Sequence, residues 1–285
     1  GHYISPCYPS RHQRADEDLA AYGRRAADEL EAKLQELGPE TVIAFVAETV
    51  GGATAGALAP APGYLKRIRE ICDRHGILLI LDEVMCGMGR TGYRFACDED
   101  GVAPDLLTCA KGLGAGYQPI GACLLSEEIY QTIVQGSGAF QHGFTYIGHA
   151  TACAGALAVQ RFIQAEDLLT NVRRQGQALR ATLEERFGQQ PHVGDIRGRG
   201  LFLGVELVRD RESKETFDPA LKLFARVKQQ ALARGLMCYP GGGTADGLRG
   251  DHILLAPPFI IDPSQVTEIV DKLAAALDAA LAEIL

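Results

Sequence analysis

Two residues of opposite charge, Asp82 and Lys111, each close a short apolar run: ILLILDEV over 77–84 and DLLTCAKG over 105–112. Uninterrupted apolar runs bounded by glycine (Gly76 and Gly87 around the first) predict strands buried on both faces, as in a parallel sheet beneath helices. A carboxylate and an amine at the ends of two such strands open onto the crevice where α/β sheets hold ligands. Burying either charge alone costs on the order of several kcal/mol, so each needs a partner. Pyridoxal phosphate supplies both partners, because its ring nitrogen takes an anion and its aldehyde takes a lysine. Taken singly, each residue also has a plainer reading: Asp82 caps a turn, and Lys111 is a solvated surface lysine.

Other chemistries are weaker. LLILDE is also compatible with the acidic strand of a nucleotide-hydrolysing P-loop protein, but that site needs G-x-x-x-x-G-K-[ST], which the chain lacks. Gly112, Gly114 and Gly116 suggest a dinucleotide loop. They precede Pro119 and an apolar run, however, where a phosphate-cradling helix should begin, so close backbone approach around the lysine is the better explanation. Eight cysteines at 7, 72, 86, 97, 109, 123, 153 and 238 and seven histidines show no metal-type spacing.

The elements that must position Asp82 and Lys111 follow from the pattern around them. Residues 1–14 read as irregular, and Asp16 to Leu37 as a charged helix stopped by Gly38-Pro39. VIAFVAE, 42–48, reads as a buried strand ending in Glu48, followed by the glycine-rich VGGATAG. Pro62 is expected to open a helix with Leu65, Ile68, Ile71 and Cys72 on one stripe, ending at Gly76. The two strands ending near Asp82 and Lys111 come next, then IGACLL over 120–125 as one further strand. Strand, helix, strand, loop, strand is the alternation of an α/β domain. An alanine-rich helix from 150 to about 169 precedes a charged one over 171–187. Beyond 190 the segments GDIRGRGLFLGVELV, a helix near 219–234, GLMCYP, HILLAPPFII and a last amphipathic helix predict a smaller α+β domain. The expected division is 1–170, a linking helix 171–189, and 190–285.

A net charge of −8 with no basic run argues against nucleic acid or an anionic membrane surface as partner. No apolar stretch approaches the roughly 20 residues that span a bilayer. The opening GHYISPCYPSRHQR lacks the apolar core of a signal peptide, and several cysteines lie inside apolar runs, so a reducing, cytoplasmic setting is expected.

The surroundings of the two charged residues add a resemblance. Asp82-Glu83-Val84 with the loop GMGRTG (87–92), then Lys111 in AKGLGAGYQPIGA, is similar to the class III aminotransferases, the pyridoxal-phosphate family that includes the ω-aminotransferases. AETVGG at 47–52, PGYLKRIREICDRHGILLILDEV at 62–84, GFTYIGHATACAGALAV at 143–159, IRGRGLFLGVELV at 196–208 and LLAPPFII at 254–261 resemble that family in its order, covering the chain from about residue 40 onward. The resemblance implies a fold-type-I large domain with a mostly parallel sheet and a smaller C-terminal α+β domain. It implies that Lys111 binds the cofactor covalently and moves the proton, and that Asp82 keeps the ring nitrogen protonated. Val84, placed on the same side of the strand as Asp82, would pack on the ring, with a plain core valine as the alternative. Thr145 matches the threonine lent to the neighbouring subunit's cofactor phosphate. Glu48 matches the acidic strand end that orders the site, although Thr49 stands where the family usually has proline. Arg249 lies near the mobile carboxylate-binding arginine, with unusual spacing to Gly250-Asp251-His252.

The implied activity is transamination between an amine or amino acid and a 2-oxo acid or aldehyde, ping-pong through pyridoxamine phosphate, in a homodimer with shared sites. A pyridoxal-phosphate aminomutase or decarboxylase uses the same residues, and an inactive piece acting as a binding module is the non-enzymatic alternative. The aromatic residues Phe140, Phe144 and Tyr146 suit an interface or, alternatively, the chain's own core. The family's Gly-Ser phosphate cradle and the aromatic residue stacked on the outer ring face are expected upstream of residue 1.

Overall fold

The computed structural model describes residues 1–285 and contains two four-stranded sheets. The first is built from β1 (Ala44–Glu48), β2 (Leu78–Asp82), β3 (Leu106–Cys109) and β4 (Ala122–Leu125), in that spatial order. β1, β2 and β3 run parallel, and β4 returns antiparallel to β3. The second sheet is antiparallel throughout: β5 (Val193–Arg199), β6 (Phe202–Leu207), β8 (Asp251–Leu255), β7 (Tyr239–Gly242). The chain is therefore α/β with a mixed, mostly parallel first sheet and a second, antiparallel one.

Two helices cover one face of the first sheet. α2 (Leu19–Leu37) starts where the Asp18 carboxylate accepts the Ala21 N–H at 2.6 Å, satisfying one of the orphan donors of a helix start. It ends at Gly38. α3 (Tyr64–His75) is the crossover between β1 and β2 and stops at Gly76, whose φ of +64° suits glycine far better than any other residue. Its buried stripe of Leu65, Ile68, Ile71 and Cys72 packs with Tyr22, Leu30 and Leu34 of α2 on Leu79, Leu81, Leu107 and Cys109 of the sheet. Gly63, not Pro62, precedes the first helical turn, two residues later than expected, and a short helix, α1 (Pro9–His12), interrupts the N-terminal segment expected to be irregular.

The opposite face of that sheet is not covered. Val46 on that face is 62% exposed, and β4 is exposed on both faces. The expectation of strands buried on both faces is thus corrected: in β2 burial alternates, with Leu79 and Leu81 inside and Leu78 and Ile80 only half-buried. Helices pack on one side only, so a run that is apolar at every position keeps half of its side chains out of the core.

α4 (Cys97–Asp100) links β2 to β3, α5 (Glu127–Gln135) follows β4, and α6 (Ala150–Ala165) leads into α7 (Leu168–Phe187). α7, α8 (Leu223–Ala233) and α9 (Pro263–Ala282) cover one face of the second sheet, where Leu203, Val205, Leu207, Ile253 and Leu255 meet Val172, Leu179, Leu183, Val227, Val270, Leu273 and Leu277. The alternate residues Phe202 and Leu254 face the loops of the first sheet, packing with Val50, Ala57, Cys86 and Ala96. No helix is long and apolar enough to cross a membrane.

Candidate functional site

The register of the parallel strands gathers the chemistry at one edge. Glu48 pairs with Asp82 across β1 and β2, and Asp82 pairs with Thr108 across β2 and β3. Paired residues in a parallel ladder point to the same face, so Glu48, Asp82 and Thr108 share the uncovered face at the C-terminal ends of their strands. Lys111 lies three residues beyond Thr108 and opens a 3-10 turn, Lys111–Leu113. The sheet thus brings Asp82 and Lys111 to neighbouring strand ends, as the sequence predicts, and neither takes part in an ion pair within the chain.

Asp82 is held at several atoms. Its Oδ1 accepts the Val84 N–H at 2.9 Å. Its carbonyl accepts the Thr49 N–H at 3.4 Å, and the next N–H, that of Glu83, reaches the Thr108 carbonyl at 2.8 Å. The peptide unit joining 82 and 83 is therefore pinned between β1 and β3. No donor of the chain occupies Oδ2. Val84 does not sit on the strand: β2 ends at Asp82 and Val84 lies in the following turn, so its backbone N–H, rather than a shared strand face, ties it to Asp82.

Around Lys111 the backbone is tight. Its φ of +38° is left-handed for a non-glycine residue, a conformation costing about 1–2 kcal/mol that persists only where the surroundings impose it. Gln160 of α6 donates to the carbonyls of Gly112 at 3.2 Å and Leu113 at 3.0 Å. A Cβ on Gly112 would come within 3.1 Å of the Met88 Cβ, and one on Gly114 within 2.9 Å of the Gln118 carbonyl. Close approach is the reason for those glycines. The turn puts Lys111 just past the end of the strand next to Asp82, whose carboxylate keeps one oxygen without a donor from the chain, and this arrangement fits a cofactor with a basic ring nitrogen and a carbonyl.

The similarity to known proteins agrees with this geometry. The family model "Aminotransferase class-III" matches residues 4–277. The chain belongs to the class III aminotransferases. It is 44% identical over 280 residues to an uncharacterised aminotransferase of Schizosaccharomyces pombe, covering 98% of this chain and 61% of that protein. It is 37% identical over 265 residues to a putrescine–pyruvate aminotransferase of Pseudomonas aeruginosa, covering 93% and 56%. An (S)-enantioselective ω-transaminase from Thermomicrobium roseum superposes with a TM-score of 0.89 at 38% identity, covering 98% of this chain and 60% of that one. The chain spans between about half and three fifths of the length of the curated relatives it matches. The cofactor of this family is pyridoxal 5'-phosphate.

The other predicted residues are placed less centrally. Glu48 turns its carboxylate back on its own loop, accepting the Gly52 N–H at 2.7 Å. Arg249 lies in the turn between β7 and β8, its Nε 2.6 Å from Asp246 Oδ2, and no hydrogen bond joins it to Asp82 or Lys111. Backbone and side-chain hydrogen bonds from Arg249 hold the Asp246 carboxyl down to about 2. Thr145 lies in an exposed turn, and Phe140, Phe144 and Tyr146 around it are all more than half exposed, so they do not fill the chain's own core.

Three groups were not found from the sequence. Glu83, fully buried, accepts from Thr49 Oγ1 at 2.8 Å and from the Ala96 and Cys97 N–H groups at 2.6 and 2.8 Å. Its acid type directly after Asp82 was the available signal. Arg90 of the GMGRTG loop donates from Nη1 to the carbonyls of Leu201 (3.1 Å) and Pro257 (2.6 Å) and stacks on Phe259. Burial alone brings its guanidinium down to about 10, so it stays charged at neutral pH. Third, Arg197 donates to Gly56 O (3.0 Å), Ala55 O (2.6 Å) and the Glu206 carboxylate, which also binds Tyr8 and Arg11. Burial works to raise the Glu206 carboxyl, but Arg197 and then the Tyr8 and Arg11 contacts outweigh it and hold it below the ordinary value. That network fastens the N-terminal segment and the loop after Glu48 to the second sheet. A charged partner 198 residues away cannot be read from spacing.

Proposed function

We propose that the protein is a transaminase that passes an amino group between an amine or amino acid and a 2-oxo acid or aldehyde in a ping-pong cycle. The observation that carries this reading is the Asp82/Lys111 pair: adjacent parallel strand ends, a pinned aspartate with a free oxygen, and a lysine on a strained turn. When bound, pyridoxal phosphate supplies an electron sink and a carbonyl that takes up and releases the amino group. Asp82 Oδ2 holds the proton at the ring nitrogen. Lys111 Nζ anchors the cofactor and moves the proton at the substrate carbon, the general acid–base role that suits an amine beside a cationic ring. Val84 is assigned to the ring face, Glu48 to ordering the loop beside the site, and Arg249 to the substrate carboxylate, which has to displace Asp246.

The same reading makes the functional unit a homodimer in which Thr145 binds the cofactor phosphate of the neighbouring site. The exposed aromatic residues flanking Thr145 support it. It also takes residues 1–170 and 190–285 as two domains joined through 171–189, and places the protein in a reducing, cytoplasmic setting that suits eight free cysteines.

The full-length protein mixed with pyridoxal phosphate should show an absorbance band near the visible edge. Borohydride should abolish the band and leave label on the peptide containing Lys111. Label on another lysine, or none, would end this assignment. Co-expression of Lys111→Ala with Thr145→Ala, each inactive alone, should restore activity in verified mixed dimers, whereas no recovery there counts against the shared site.

A further inference from the structure

The end of β1 and the end of β2 are joined by one residue in two ways. Thr49, buried to 1% exposure, gives its N–H to the Asp82 carbonyl at 3.4 Å and its hydroxyl to Glu83 Oε1 at 2.8 Å. The first bond reaches the peptide that carries Asp82 into its turn, and the second reaches the side chain of the next residue. The first continues the parallel ladder one step beyond the paired residues Glu48 and Asp82. The second ends on a fully buried carboxylate whose other donors are the Ala96 and Cys97 N–H groups at the start of α4. Across the same peptide, Glu83 N–H meets the Thr108 carbonyl, two residues before Ala110 and three before Lys111. The strand end is therefore fixed from β1 by Thr49 and from β3 by Thr108.

We infer that Thr49 is a positioning residue for Asp82, holding the strand-end peptide through its N–H and the neighbouring Glu83 carboxylate through its hydroxyl. The inference rests on the reading of Asp82 as the anion that faces the cofactor ring. Its physical basis is preorganisation: a buried hydrogen-bonded acid beside the acting one keeps it from drifting, and small displacements at a reacting centre cost large factors in rate. Threonine suits the task because it has both donors. Valine keeps only the N–H, serine keeps both, and proline keeps neither.

The test uses the full-length holoenzyme with Thr49→Val and Thr49→Ser, and hydrogen exchange of the peptides spanning 82–90 and 202–207 as a readout independent of activity. Thr49→Val should exchange about three- to tenfold faster at 82–84, the factor expected for one lost buried hydrogen bond. Exchange at 202–207 should not change. Its kcat should fall by a similar factor with KM for the amino donor unchanged, and the pH midpoint of the cofactor absorbance should move. Thr49→Ser should restore all of these. Wild-type exchange at 82–84 in Thr49→Val overturns the proposal, as does faster exchange throughout both segments or no rescue by serine. If Lys111 proves unlabelled in the wild-type protein, the transaminase reading falls by itself. Exchange at 82–84 then still decides whether Thr49 holds the Asp82 peptide.

Discussion

The strands of the first sheet are almost wholly apolar and those of the second much less so, yet the second sheet is the better buried in this chain. β6, FLGVEL, is buried at every position, whereas β1, AFVAE, leaves Val46 well exposed and β4 has no buried residue. The second sheet has α7, α8 and α9 on one side and the loops of the first sheet on the other. The first has α2 and α3 on one side only. The covered sheet contains a buried set of paired charges, Glu206 with Arg197 and Arg11, and the first sheet has one pair, Asp105 with Arg69, at the far end from Asp82. The half-open sheet holds the unpaired ones, Asp82 and Lys111. Charge left without an internal partner sits where a ligand can reach it, and charge that is buried is consumed by architecture.

The largest test of that contrast is Lys111→Ala, which should abolish amino transfer in the full-length enzyme while circular dichroism and melting temperature stay as in wild type. Retained turnover would show that the open face does not carry the chemistry. Asp82→Asn should bind the cofactor and lose a factor of about a hundred or more in rate, because a neutral partner forfeits electrostatic stabilisation worth several kcal/mol. An unchanged kcat would remove Asp82 from the electron-sink role.

The covered sheet should respond in stability. Arg197→Ala leaves the buried Glu206 without its main counter-charge and should cost about 3–5 kcal/mol, and Leu207→Ala should cost about 2–5 kcal/mol through its cavity. Denaturant melts would measure both. Val46→Ser on the open face of this chain expressed alone should change stability by no more than about 0.5 kcal/mol. An equal loss at Val46 and Leu207 would erase the distinction between the two sheets.

The covered sheet also predicts a pH dependence. His252, on β8, is pushed from 6.5 down to about 4, first by burial and then by the Arg197 charge. Between those values the unfolded chain binds a proton that the folded chain refuses. Stability from this group is therefore full above about pH 6.5 and is lost as the pH falls toward 4, by on the order of 1–3 kcal/mol. Melting temperatures across that window should fall in the wild type and fall less in His252→Gln. Equal slopes would mean that another group sets the acid response.

The alternation of elements is legible in the residues alone, because apolar runs, Gly38, Gly76 and the stripe Leu65-Ile68-Ile71-Cys72 are local signals with local physical causes. The sequence also put Asp82 and Lys111 at the ends of two apolar runs, whereas the adjacency of those two strands comes from the sheet order. In this chain β1 and β2 are covered on one face, and an apolar run does not say what covers the other. The sequence put Val84 on a strand that stops two residues earlier, at a turn set by the Asp82 carboxylate. How the strand ends are held depends on contacts between distant parts of the chain. Thr49 on Glu83, Gln160 on the lysine turn, and Arg197 bridging Glu206 to Ala55 and Gly56 join residues 34, 47–48 and 141–142 positions apart. Hydrogen bonds are directional and short, so such pairings exist only once packing has brought both partners to one place.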